Sequence, residues 1–69
     1  MSVADEIKET VVVTHLPSGT RVKVTLKYKG LTVNWTLTSY VGHITETLTD
    51  CRLIAYKRLA EANNAMAVA

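Results

Sequence analysis

The sequence predicts a small α+β domain in which a three-stranded antiparallel β-meander packs against one long C-terminal α-helix. Three observations lead there. Apolar and polar residues alternate on both sides of Lys29-Gly30, a β-branched run spans Thr10 to Thr14, and from Glu46 the apolar period lengthens to that of a helix.

The alternating stretch from Thr20 to Tyr40 reads as one amphipathic hairpin. Val22, Val24, Leu26 and Tyr28 lead into Lys29-Gly30, and Leu31, Val33, Trp35 and Leu37 lead away. A two-residue loop sets Tyr28 against Leu31, Leu26 against Val33, Val24 against Trp35 and Val22 against Leu37. The apolar residues then share one face, and a one-residue slip would undo this.

Upstream, Glu9 to His15 reads as a first strand, and Leu16-Pro17-Ser18-Gly19 supplies a turn. Its register stays open. A four-residue loop sets Val11 and Val13 on the core face opposite Val24 and Val22. A three-residue loop with a bulge at Gly19 sets Val12 there instead. Either way, at least one of the three valines points away from the helix. Residues 1–8 form a short N-terminal segment, either a helical turn over Val3 to Ile7 capped by Ser2 and Asp5 or a frayed end.

After Val41-Gly42-His43, Thr45 or Thr47 can cap a helix with Glu46 and Asp50 in its first turns. It is expected to run from about Glu46 to Ala62 or a little beyond, with Asn63 and Asn64 marking where it weakens and 64–69 as a frayed tail. A projection at about 100° per residue puts Leu48, Cys51, Ala55, Leu59 and Ala62 on the sheet-facing stripe. Leu53, Tyr56 and Ala60 fall on a second apolar flank, and Ile54 lies at the far edge of the first.

Sixty-nine residues, 48% apolar and 20% charged, make a single domain near the lower size limit for an unassisted core. A homodimer is therefore expected. Cys51 is the one cysteine, which excludes an intramolecular disulfide and suits a reducing, cytoplasmic setting. The N-terminus lacks the basic start and apolar run of a secretory signal, and no stretch approaches the ~20 apolar residues of a membrane span.

The net charge of +2 is modest, but its distribution is uneven. Arg21, Lys23, Lys27 and Lys29 fall together with no acid among them, while Asp5, Glu6 and Glu9 gather at the start. On the outer sheet face the cations alternate with Thr25 and lie beside Asn34, Thr36 and Thr38. Alternate strand positions are about 7 Å apart, roughly the phosphate spacing of a nucleic-acid strand. Phosphate contact through the cations, with the hydroxyls and amide as secondary contacts, is one use of this face. The plainer use is a solvated face that keeps the chain soluble.

Strands followed by a helix, with Ala55-Tyr56-Lys57-Arg58-Leu59-Ala60 on that helix, resemble in outline the plant AP2-type DNA-binding domain. The outline is also similar to the sheet-reading arm domains of some phage and transposon integrases. The Arg/Trp-studded strand motifs of the AP2 family are not present, so the resemblance is one of fold and implies DNA contact only by analogy. A double-stranded-RNA-binding outline is disfavoured, because Glu46 and Asp50 occupy the helix start where that outline needs lysines.

The flank of Leu53, Tyr56 and Ala60, together with a stray valine on the first strand, is the kind of surface that self-associates or meets a protein partner. The alternatives are a rotated helix, or an N-terminal segment that folds over the patch with Val3 and Ile7. Cys51, His15 and His43 lack the spacing of a catalytic or zinc site, and Asn34-Trp35-Thr36 is a mid-strand sequon best ascribed to chance. No phosphate loop or paired carboxylates point to catalysis. The expectation is a non-enzymatic binding protein without cofactor or metal, acting on nucleic acid through the sheet. The alternative is a small inhibitor or adaptor, of the kind phage-borne genes encode, acting through the helix flank or a sheet edge.

Overall fold

The computed structural model describes residues 6–40 and 42–68. Its elements are β1 (Lys8–Leu16), β2 (Gly19–Tyr28), β3 (Leu31–Ser39) and α1 (Ile44–Val68). The strands form one sheet in the order β1-β2-β3, with both pairs antiparallel. This is the predicted meander and helix. The suggested N-terminal turn from Ser2 onward lies mostly outside the described residues, as does Val41 before the helix.

The β2–β3 register is the expected one, with Tyr28 on Leu31, Leu26 on Val33, Val24 on Trp35 and Val22 on Leu37. Lys29 (φ 49°) and Gly30 (φ 83°) make the tight loop, and two consecutive positive φ values are what a type I′ hairpin turn requires. A lysine in that conformation is strained by roughly 1–2 kcal/mol. Its ammonium lies 5.3 Å from the centre of the Tyr28 ring, within range of a cation–π contact.

The first hairpin resolves the open register. Val11 pairs with Val24 and Val13 with Val22, the pairing of the four-residue alternative, and the ladder continues to Leu16–Gly19 so that only Pro17-Ser18 turn. Gly19 is required for space: a Cβ there would run into the backbone carbonyl of Ser39 at the end of β3. Ser39 is itself buried, and its hydroxyl donates to the Thr20 carbonyl at 3.4 Å.

The core is small. Val22, Val24 and Leu26 from β2 meet Cys51, Ala55 and Leu59 from α1, and Tyr28, Leu31, Val33, Trp35, Leu37, Leu48 and Tyr56 surround them. Each large buried side chain contributes about 1.5–3 kcal/mol. The net for a chain this size is about 3–10 kcal/mol. Cys51 and Ala55 let the helix come down beside Trp35. The thiol donates to the Trp35 carbonyl at 3.2 Å, and Arg58 covers the indole ring at 5.1 Å.

Two helix expectations are corrected. Neither Thr45 nor Thr47 is the cap. The helix begins at Ile44, the Thr47 N–H donates to the His43 carbonyl at 3.0 Å, and Thr49 Oγ1 donates back to Thr45. A turn closed by His43 N–H on the Tyr40 carbonyl, with Gly42 at φ 92°, starts the helix before either threonine. Nor does it weaken just past Ala62, since it runs on through Asn63 and Asn64 to Val68. Asparagine costs less than about 0.7 kcal/mol in a helix interior, and the alanines that follow are the best helix formers.

Helix α1 lies over β2 and β3 and makes little contact with β1. That offset shapes both the outer sheet face and the surface around β1.

Candidate nucleic-acid interface

Strand periodicity sorts the residues of β2 and β3 into two faces. Val22, Val24 and Leu26 point toward α1, so Arg21, Lys23, Thr25 and Lys27 point away from it. Asn34, Thr36 and Thr38 lie across from Thr25, Lys23 and Arg21. All except the half-buried Thr25 are exposed. Thr25 Oγ1 donates to Asn34 Oδ1 at 2.7 Å, which holds the amide against the sheet.

Lys29 does not join this face. It occupies the turn, and its ammonium sits over Tyr28, whose side chain packs on the helix side. Lys8 takes its place: β1 begins one residue earlier than the sequence suggested, and Lys8 pairs with Lys27. The outer face therefore carries Lys8, Arg21, Lys23 and Lys27, with no acidic residue among its strand positions. Carrying the four-residue register one pair past Glu9 would have revealed Lys8.

Like charges directly opposite on adjacent strands are destabilising, so Lys8 and Lys27 form a site short of negative charge. Within reach of an extended polyanion, the arrangement can present Arg21 and Lys23 about 7 Å apart along β2 and Lys27 about 14 Å further on, with Lys8 beside it.

The opposite side of β1 holds a different arrangement. Glu9 shares the face of Val11 and Val13, and there its carboxylate accepts the Tyr56 hydroxyl at 2.7 Å and meets Arg52 Nε at 2.9 Å. The hydrogen bond to Glu9 is the main cause that pushes the Tyr56 phenol up, with burial and the carboxylate charge adding to it and Arg52 opposing it. Of the predicted flank, Tyr56 is thus engaged inside the molecule, while Leu53 is 65% exposed and Ala60 is exposed. An open recess of about 240 Å³ runs along Ile7, Tyr28, Tyr56, Leu59, Ala60 and Asn63. Ile7 thus reaches this side, and Val3 lies outside the described residues.

Cys51 is fully buried. Burial pushes its thiol up, more than the neighbouring backbone groups of Val24 and Leu37 lower it. Its surroundings are those of a core residue and not of a nucleophile. Among the described residues, no cluster of His, Cys, Asp or Glu could hold a metal ion, and His15 and His43 are exposed at strand and turn ends. Among the described residues, no helix is long and apolar enough to cross a membrane.

Comparison of the chain with protein-family models, curated proteins and solved structures finds no match.

Proposed function

We propose that the protein is a non-enzymatic nucleic-acid-binding module that uses the outer face of its sheet. The juxtaposition of Lys8 and Lys27 beside Lys23 and Arg21 carries this reading. Four cations on one face, two of them opposed across a strand pair, cost stability that a bound polyanion would offset. Arg21, Lys23, Lys27 and Lys8 would neutralise phosphates, and Asn34, Thr36 and Thr38 are placed for sugar, phosphate or base-edge contacts. The lone buried thiol suits the reducing cytoplasm, where such a partner is found.

The test is fluorescence anisotropy with a mixed-sequence DNA duplex and an RNA of equal length across a salt series. Four phosphate contacts per chain predict log K falling against log salt with a slope of about −3.6 for the duplex. The slope should flatten on Lys23→Glu with Lys27→Glu. No binding at low salt, or binding indifferent to that charge reversal, rules the reading out.

A second reading is a protein-binding inhibitor or adaptor. It is favoured by exposed Leu53 on the flank that helix α1 turns toward β1. Leu53→Ser would break that activity and leave nucleic-acid affinity unchanged.

A further inference from the structure

We infer that β1 is a self-pairing edge: two copies join β1 to β1 antiparallel about a two-fold axis at Val12, making one six-stranded sheet.

Strand β1 is the unguarded edge of this sheet. Among the described residues its outward side has no neighbouring strand, and α1 makes little contact with it. Natural edges are blunted by proline, bulges or charges, yet the centre of this one is Thr10-Val11-Val12-Val13-Thr14 in unbroken strand. Both its faces are open, with Val11 38%, Val12 50% and Val13 43% exposed. The other edge, β3, lies under the helix on one face and carries Thr32, Asn34, Thr36 and Thr38 on the other.

Symmetry selects a second copy as the occupant. A two-fold axis needs a surface complementary to itself, and Thr-Val-Val-Val-Thr reads the same in both directions. Centred on Val12, the pairing sets Val12 on its own counterpart, Val11 on Val13 and Thr10 on Thr14. At either end Glu9 then faces His15, a carboxylate opposite an imidazole ring N–H that can donate a hydrogen bond. Residues of one parity meet residues of the same parity, so the helix-side and outer faces stay continuous across the axis. Lys8 falls opposite Leu16 and away from its own counterpart.

The ladder favours the same geometry. The Pro17-Ser18 turn closes on Leu16 and Gly19, and if that closing pair is hydrogen-bonded, alternation directs the backbone groups of Glu9, Val11, Val13 and His15 off the sheet. Those are the residues the two-fold pairing bonds together, and Val12 meets its counterpart as the closer, non-bonded pair.

The test measures mass in solution by sedimentation equilibrium over a concentration series, together with oxidative cross-linking. The expected mass is twice 7.6 kDa. Val12→Cys should cross-link to a dimer rapidly, while Thr36→Cys on the outer face of β3 and the wild-type chain with buried Cys51 should not. Val12→Glu keeps the single chain folded, because Glu then faces Lys23. Across the axis it opposes its own copy, and the dimer dissociation constant should rise about tenfold or more. A monomer at every concentration, a dimer that survives Val12→Glu, or Val12→Cys cross-linking no faster than Thr36→Cys would each overturn the inference. Nucleic-acid affinity is not a readout here, so the two proposals fail independently.

Discussion

The Tyr56 hydroxyl lies 2.7 Å from the Glu9 carboxylate, joining the middle of the helix to the first strand across 47 residues of sequence. With Arg52 on the same carboxylate, this contact ties α1 to a strand that the helix otherwise leaves uncovered. Its removal should therefore loosen β1 selectively.

Tyr56→Phe is expected to cost about 1.5–3 kcal/mol in urea unfolding, the range of a hydrogen bond to a charged partner. The pH dependence gives a second signature. The folded pKa of Tyr56 lies above its unfolded value of about 10. The stabilisation is therefore complete below that pH and is lost as pH rises through the folded value, when a phenolate would face Glu9. Stability measured from pH 8 to 11 should fall more steeply in the wild type than in the variant. Parallel curves would show that the contact contributes nothing.

Lys27→Glu should stabilise the fold while weakening nucleic-acid binding. Replacing a like-charge pair with Lys8 by an opposite-charge pair is worth about 0.2–1 kcal/mol. The gain should shrink in 1 M salt, where charges are screened beyond about 3 Å. Thermal melts at two salt concentrations check this, and a loss of stability at low salt would contradict the Lys8–Lys27 pairing.

Two glycines should fail differently. Gly19→Ala brings a Cβ against the Ser39 carbonyl and should cost about 1–3 kcal/mol, as overpacking does. Gly30→Ala meets no neighbouring atom but holds φ 83°, a penalty of about 1–2 kcal/mol. Asparagine tolerates that backbone and should recover much of the loss at position 30. At position 19 it should recover none, and equal rescue at both sites would contradict the steric account of Gly19.

The Cys51 thiol should resist a thiol reagent in the native protein and react at the free-thiol rate in denaturant, because it is buried and its pKa is raised. Native reactivity that tracks global unfolding is the expected result. Fast labelling under native conditions would mean that the helix does not hold Cys51 against Val22 and Trp35.

Local periodicity was enough to specify the elements and the β2–β3 register. A period of two with a Lys-Gly turn leaves one arrangement that buries Val22, Val24 and Leu26 with Trp35 packed beside them, and a period of 3.6 identifies Cys51, Ala55 and Leu59 as their cover. The helix ends were poorly legible, because threonine capping and asparagine propensities are worth only about 1 kcal/mol and neighbouring turns and alanines override them. What remained required the tertiary structure. A helix about 10 Å wide covers two strands spaced about 4.8 Å apart and not three, so which strand is left bare follows from packing and cannot be read from any local pattern. That offset exposes Val11 and Val13, and the first hairpin's register sets Lys8 on Lys27. Glu9 is drawn from an apparent N-terminal acidic cluster to Arg52 and Tyr56. These partners are distant in sequence, and only the folded chain brings them within a few ångströms of one another.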